Sequence, residues 1–269
     1  MNDIFRFKIA IRTIKNYKKT TIILSLLFMI IAVGYAGMFP AFEESIVDMM
    51  DSDFYESFNF FPHADQMHTY VGFLTLELYQ IFWLLIMAII FGFIAASSIS
   101  TEIEGKTIDL LMSNPVSRKQ IVVEKFVGLI PMFLVVNFAT MLAVIGITTA
   151  INESINYSYL LLVHILSIIY FFAVLSLGLL ISVIIDEKMK SSIIMIAILV
   201  GMFVLNSLSL TVPDYEWIGS LSFLNYFDTY TVLQFGEIDF VGISVLIGVT
   251  VICLVASMIY FEYRDINVS

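Results

Sequence analysis

Apolar residues along this chain fall in long runs rather than in alternation. Six runs stand out, at 20–38, 78–99, 127–150, 159–185, 191–212 and 240–261. None contains an Asp, Glu, Lys or Arg. Each is close to the roughly 20 apolar residues a helix needs to cross the hydrocarbon layer of a bilayer. The period-2 alternation of a transmembrane barrel is missing. The pattern therefore predicts an all-α polytopic membrane protein, a single domain over 1–269 with six transmembrane helices. Composition agrees: 60% of residues are hydrophobic and 13% charged, with a mean hydropathy of +0.97. Soluble domains run at about 45–50% and about 25%, so a water-soluble enzyme is excluded. The 24 Phe and 13 Tyr exclude a disordered chain. A lone cysteine, Cys253, permits neither an intrachain disulfide nor a cysteine-based metal cluster.

Net charge is −10, yet the charges are sorted by position. All 13 Lys and Arg lie in residues 1–19, 100–126, 186–190 and the tail after 261. Segments 39–77, 151–158 and 213–239 carry acids and no cation. Loops rich in Lys and Arg stay in the cytoplasm, so both termini are expected there. The first run is longer than the core of a signal peptide and lacks a small-x-small cleavage pattern before Phe39-Pro40, so it is expected to be retained.

The connecting segments have their own patterns. Over 4–19, Lys8, Arg12, Lys15 and Lys19 share one helical stripe, and Ile4, Phe7, Ile11 and Ile14 share another. That predicts an N-terminal amphipathic interfacial helix with its cations near anionic headgroups. It serves either as a positive-inside anchor or as a docking element. Segment 100–126 predicts a short helix near 102–113, a turn at Asn114-Pro115, and a second helix from Arg118 into the third span. Capping boxes are expected at Thr101/Glu104 and Ser117/Gln120. Ile108, Leu110, Leu111 and Met112 would be displayed on the first of these helices, either against the membrane surface or against another protein. The outer residues 41–58 have helical spacing. The aromatic segment 213–239 predicts short re-entrant or interfacial helices between the fifth and sixth spans. Ala88, Gly92, Ala96 and Ser100 stand four apart and favour close helix packing within one subunit over dimerisation.

Catalytic chemistry is largely missing. Gly105-Lys106-Thr107 resembles the end of a phosphate loop, but Ser100 stands where its first glycine belongs and no strand precedes it. His-Glu-x-x-His and Gly-x-Ser-x-Gly are both absent. No metal centre is expected; the nearest approach is His63, Met67 and His68, whose types suit a soft ion such as copper. His164, Asn137 and Asn206 lie within spans with no acid beside them, which favours hydrogen bonding between helices.

The stretch Glu102-Ile-Glu-Gly-Lys-Thr-Ile-Asp-Leu-Leu-Met-Ser-Asn-Pro-Val-Ser-Arg118, Lys125 at the start of the third span, the basic N-terminal helix, the aromatic segment before the sixth span and the ending Phe261-Glu-Tyr-Arg-Asp-Ile266 together resemble the membrane subunits of ABC-2-type ATP-binding-cassette exporters. Lys106, inserted between Gly105 and Thr107, and Met112 depart from that family's pattern. The resemblance implies a permease in the plasma membrane of a prokaryote. It implies a cytoplasmic coupling helix between spans two and three. Glu102, Glu104, Gly105, Thr107, Ile108, Asp109, Leu110, Leu111, Met112 and Arg118 would form its ATPase-coupling interface, with Lys8, Arg12, Lys15 and Lys19 on a second contact. Implied partners are cytoplasmic ABC ATPase subunits, a second permease copy or paralogue and the lipid bilayer, and no nucleic acid. No cofactor is expected on this chain; ATP and Mg would sit on the partner subunit. The alternative is a non-transport integral membrane protein, an enzyme or a scaffold.

Overall fold

A computed structural model describes residues 7–50, 61–107 and 116–264, with only the backbone for residues 44 and 47–50. Several expectations lie outside the described residues: the Ile108–Met112 cluster, the Asn114-Pro115 turn, Ile4, the outer stretch 51–60 and the tail beyond Arg264. Among the described residues every regular element is helical. Six helices are long and apolar enough to cross a membrane.

The first span is a single helix, Lys8–Met50, of 43 residues. At 1.5 Å per residue it is about 65 Å long, more than twice the hydrocarbon thickness. This corrects the expectation of a separate amphipathic helix: over its described part, that segment runs unbroken into the span. No Gly or Pro occurs between Lys8 and Val33, so nothing in the sequence stops the helix at residue 19. Pro40 lies inside it without ending it.

The second span begins at Tyr70, earlier than expected, because Glu77 is carried within the helix. Thr69 caps it by accepting from the Gly72 amide. From Leu74 to Met87 the helix is π-wound. Bonding from i to i+5 puts residues four and five apart on one face, and Leu74, Leu78, Trp83 and Met87 are all fully buried. Tyr170 donates to the Leu84 carbonyl in this stretch at 2.7 Å. The α-helix resumes over Ala88–Ser97, and a short helix follows at Ser100–Glu104.

The remaining spans are Arg118–Ala150, Tyr157–Ile184, Lys188–Thr211 and Phe240–Tyr263. Spans two and four form the core, each 61% buried in its most apolar window, against 22–39% for the others. The first span lies along the third, while the fourth touches the second, third, fifth and sixth. Glycines set the closest crossings. A Cβ on Gly178 would stand 2.7 Å from Ala95 Cβ, and one on Gly92 would meet Leu199 and Met195 at 2.9 Å. The Ala88–Gly92–Ala96–Ser100 stripe is buried against spans four and five of the same chain.

Polar groups at mid-bundle join three spans. His164 Nδ1 meets Asn137 Oδ1 at 2.7 Å, and Asn137 Nδ2 donates to the His164 carbonyl at 2.8 Å. That amide orientation makes Nδ1 the donor, leaving Nε2 to accept from the Tyr79 hydroxyl at 3.0 Å. Between spans five and six lie three short helices, Pro213–Leu221 and Phe223–Tyr226 (both 3₁₀) and Thr229–Phe235.

Candidate functional site

The site is the basic end of the bundle, where the segments holding the cations come together. Three of the membrane-crossing helices start there and three finish there. A helix start leaves amide N–H groups unpaired and carries partial positive charge; a helix finish leaves carbonyls and partial negative charge. Each of the six ends is met by a side chain of complementary polarity.

The three starts receive acceptors. Glu124, on the third span, points its Oε2 at the Ile9 and Ala10 amides of the first span, at 2.7 and 3.2 Å. Gln120 holds the other oxygen at 2.7 Å. Gly128, one turn on, lets the two helices close: a Cβ there would be 2.8 Å from Thr13 Cβ. Glu104 accepts from the Lys188 amide at the start of the fifth span, at 2.8 Å. The third span is capped by its own Ser117, which accepts from the Gln120 amide at 3.1 Å; this is one half of the expected box, and the Gln120 side chain turns to Glu124 instead.

The three finishes receive cations. Lys125 donates to the Ser98 carbonyl, just past the second span, at 3.0 Å. Arg264 donates to the Val183 carbonyl at the end of the fourth span and to Asp186 at 2.6 Å. Arg118 donates to the Phe261 carbonyl at 3.1 Å and to the Arg264 carbonyl, closing the sixth span. Its guanidinium also lies over the Phe261 ring.

Within this set sits a buried ion pair. Lys125 Nζ is 3.0 Å from Glu102 Oε1, with side chains only 9% and 16% exposed. The other oxygen of Glu102 accepts from the Thr107 hydroxyl at 2.6 Å. Arg12 adds its charge nearby. Two hydrogen bonds from Ser182 fix the turn before: its hydroxyl accepts from the Ile99 and Ser100 amides at 2.8 and 3.0 Å. Thr101 is therefore not the cap. Its hydroxyl donates to the Ser97 carbonyl, and the expected box with Glu104 does not form. Nor does one helix run from 102 to 113. It stops at Glu104, and Lys106 adopts a left-handed backbone at φ 53°, which no continuous helix contains.

The structure thus engages the Glu102, Glu104, Thr107 and Arg118 side chains with residues of this chain's own helices, with Gly105 and Lys106 exposed at the turn. Ile108, Asp109, Leu110, Leu111 and Met112 lie outside the described residues. Lys8, Arg12, Lys15 and Lys19 are on exposed faces of the first span. Sequence reasoning missed Glu124, Ser182 and Asp186. The available signal for Glu124 is a lone carboxylate beside Lys125, two turns into a membrane helix.

Nearly the whole chain, residues 13–266, matches the family described as ABC-2 family transporter protein. The chain belongs to that family. It is accordingly a multi-pass transmembrane permease, a transport component that is not itself catalytic. No curated protein is similar enough to match it. In this permease, of the motif residues that carried the resemblance, Glu104, Ser117, Arg118, Lys125 and Arg264 close helix ends, and Glu102 holds Lys125 in place.

At the opposite, acidic end, His63 Nε2 pairs with Asp228 at 2.8 Å and its ring stacks on Tyr230 at 4.5 Å. Asp228 also caps the Thr229–Phe235 helix through the Tyr230 and Thr231 amides. The hydrogen bond to Asp228 raises the His63 pKa above its ordinary value, against a smaller opposing effect of burial. Burial pushes the Asp228 carboxyl up, but hydrogen bonds from His63 and Thr231 outweigh it and hold the group below the usual range. His68 Nδ1 is engaged by the Asp65 carbonyl at 3.0 Å. Among the described residues no three His, Cys, Asp or Glu are grouped to hold a metal.

Proposed function

We propose that this permease is the membrane-spanning half of an ATP-driven exporter, working with cytoplasmic ABC ATPase subunits and a second permease copy or paralogue. The loop between spans two and three is the coupling element. ATP and Mg belong to the ATPase; this chain binds neither. The reading is supported by family membership together with one observation: the chain leading into residues 108–115 is tied to several spans at once. Glu102 is held by Lys125 of the third span, and Glu104 by the start of the fifth. A push on the loop is delivered to both. Two spans would then shift together, opening a path between the paired permeases first to one side and then to the other. On this reading the basic end faces the cytoplasm.

The test is Leu110→Asp with Leu111→Asp. If these leucines fill a groove on the ATPase, each contributes about 1.5–3 kcal/mol by burial. Two carboxylates in an apolar groove cost more still. The expected result is a normally inserted permease that no longer co-purifies with its ATPase or stimulates ATP hydrolysis. Wild-type stoichiometry and transport would remove the loop from the coupling role.

A further inference from the structure

The first and third spans part slightly above their Glu124 contact and leave a groove of about 240 Å³ open to the outside of the bundle. Its floor is apolar: Ile22 from the first span, with Pro131, Met132 and Val135 from the third. Lys15 and Lys18 stand at its rim. Both lysines are exposed, and neither has an acidic partner among the described residues. No lining residue is acidic. The rim lies where the first span changes from its cationic stretch to its unbroken apolar run, beginning at Thr20. That is the level of lipid headgroups. Ile22 and Val135, each 52% exposed, continue the apolar wall inward from the rim.

We propose that this groove is a binding site for one anionic diacyl phospholipid. Its phosphate lies between the Lys15 and Lys18 ammonium groups, and an acyl chain lies along Ile22, Met132 and Val135. Three features select that occupant. The site opens to the bilayer, so a lipid is its ordinary neighbour. The paired cations, with no acid to neutralise them among the described residues, favour a net negative headgroup over a zwitterionic one. The apolar floor lies directly beyond the cations, in the order of a lipid's own headgroup and chain. Basic pockets between membrane helices recognise anionic headgroups on this principle. The inference does not depend on ATP coupling or on the direction of transport.

The test uses the full-length protein in detergent, titrated with phosphatidylglycerol or phosphatidylcholine, with single-lipid occupancy read by native mass spectrometry. Each interfacial lysine is worth about 1 kcal/mol of attraction to an anionic surface. Two should favour phosphatidylglycerol by roughly thirty-fold. Lys15→Gln with Lys18→Gln should abolish that preference, while Lys190→Gln, on the same face but outside the groove, should keep it. Val135→Trp, which fills the floor, should weaken both lipids. Unaltered preference in the lysine double variant would overturn the site. So would competition by glycerol 3-phosphate at the same concentrations as lipid, since that makes it a phosphate site. Disulfide-linked dimers from Val135→Cys in a Cys253→Ala background would also overturn it, because a second copy would then occupy the groove.

Discussion

Replacing Lys125 by Met tests the ion pair at the centre of the basic end. The methionine fills most of the lysine's volume but removes the ammonium from Glu102 Oε1 and from the Ser98 carbonyl. Glu102 keeps only its bond from Thr107. Removing one partner of a buried pair costs about 3–5 kcal/mol, because the other charge is stranded. At about 2–4 °C per kcal/mol for a chain approaching this size, the melting temperature should fall by roughly 6–20 °C. Glu102→Leu should cost a similar amount, by stranding Lys125. The double variant should recover most of the loss, since an apolar pair of similar volume is often nearly neutral. The assay is thermal unfolding of all four proteins in one detergent, followed by intrinsic fluorescence. If the single losses add in the double variant to within about 0.5 kcal/mol, the two side chains are not coupled and the argument fails.

Three further outcomes are expected. Cysteines placed at Ser154 and Ser220, in a Cys253→Ala background, should react with an impermeant reagent outside sealed cells, and one at Lys106 should not; labelling at Lys106 would invert the orientation. Ser222, in the same acidic segment, is unsuitable because the structure buries it completely. His63 has a raised pKa, so its contribution to stability is full below about pH 6.5 and disappears as pH rises through its folded value. The melting-temperature gap between wild type and His63→Gln should therefore narrow from pH 6 to pH 9, and a gap that stays constant would contradict the clasp with Asp228. Gly178→Val should destabilise by about 1–3 kcal/mol, because its side chain would run into Ala95 and the Gly92 carbonyl; a melting temperature within 1 °C of wild type would show that spans two and four are not in contact there.

The spans were legible because membrane crossing is a one-dimensional constraint, length times apolarity. Their ends were less so. Glu77 looked like a boundary, yet a carboxyl near a helix start is tolerated where the chain emerges from the apolar layer. The division between an interfacial helix over 4–19 and a span from residue 20 rests on a change of polarity, and polarity alone does not terminate a helix that has no Gly or Pro near that point. Ser117 was correctly read as a cap because its partner is three residues away. Thr101 was misread because its competitor, Ser182, is about 80 residues away in the chain. The motif residues were recognised as a set, but their shared task was not visible. It depends on which helix ends meet in space, and only the fold supplies that. His164 and Asn137 show the same limit: hydrogen bonding between helices is expected of each and is found, but that they bond to one another requires spans three and four to be neighbours.

The cap on the first span has a consequence for how the protein is made. Glu124 is 115 residues downstream of the amides it satisfies. At about 5–20 residues per second, Glu124 emerges roughly 6–23 s after Ile9. For that interval the leading helix must keep its open amides in water or against headgroups, with its cations exposed. Only when the third span enters the membrane and lies alongside does the leading helix acquire its terminal acceptor, and Gly128 then lets the two close together. A nascent chain halted before residue 124 should therefore carry an inserted but unanchored first helix, accessible to quality-control proteases at its basic end.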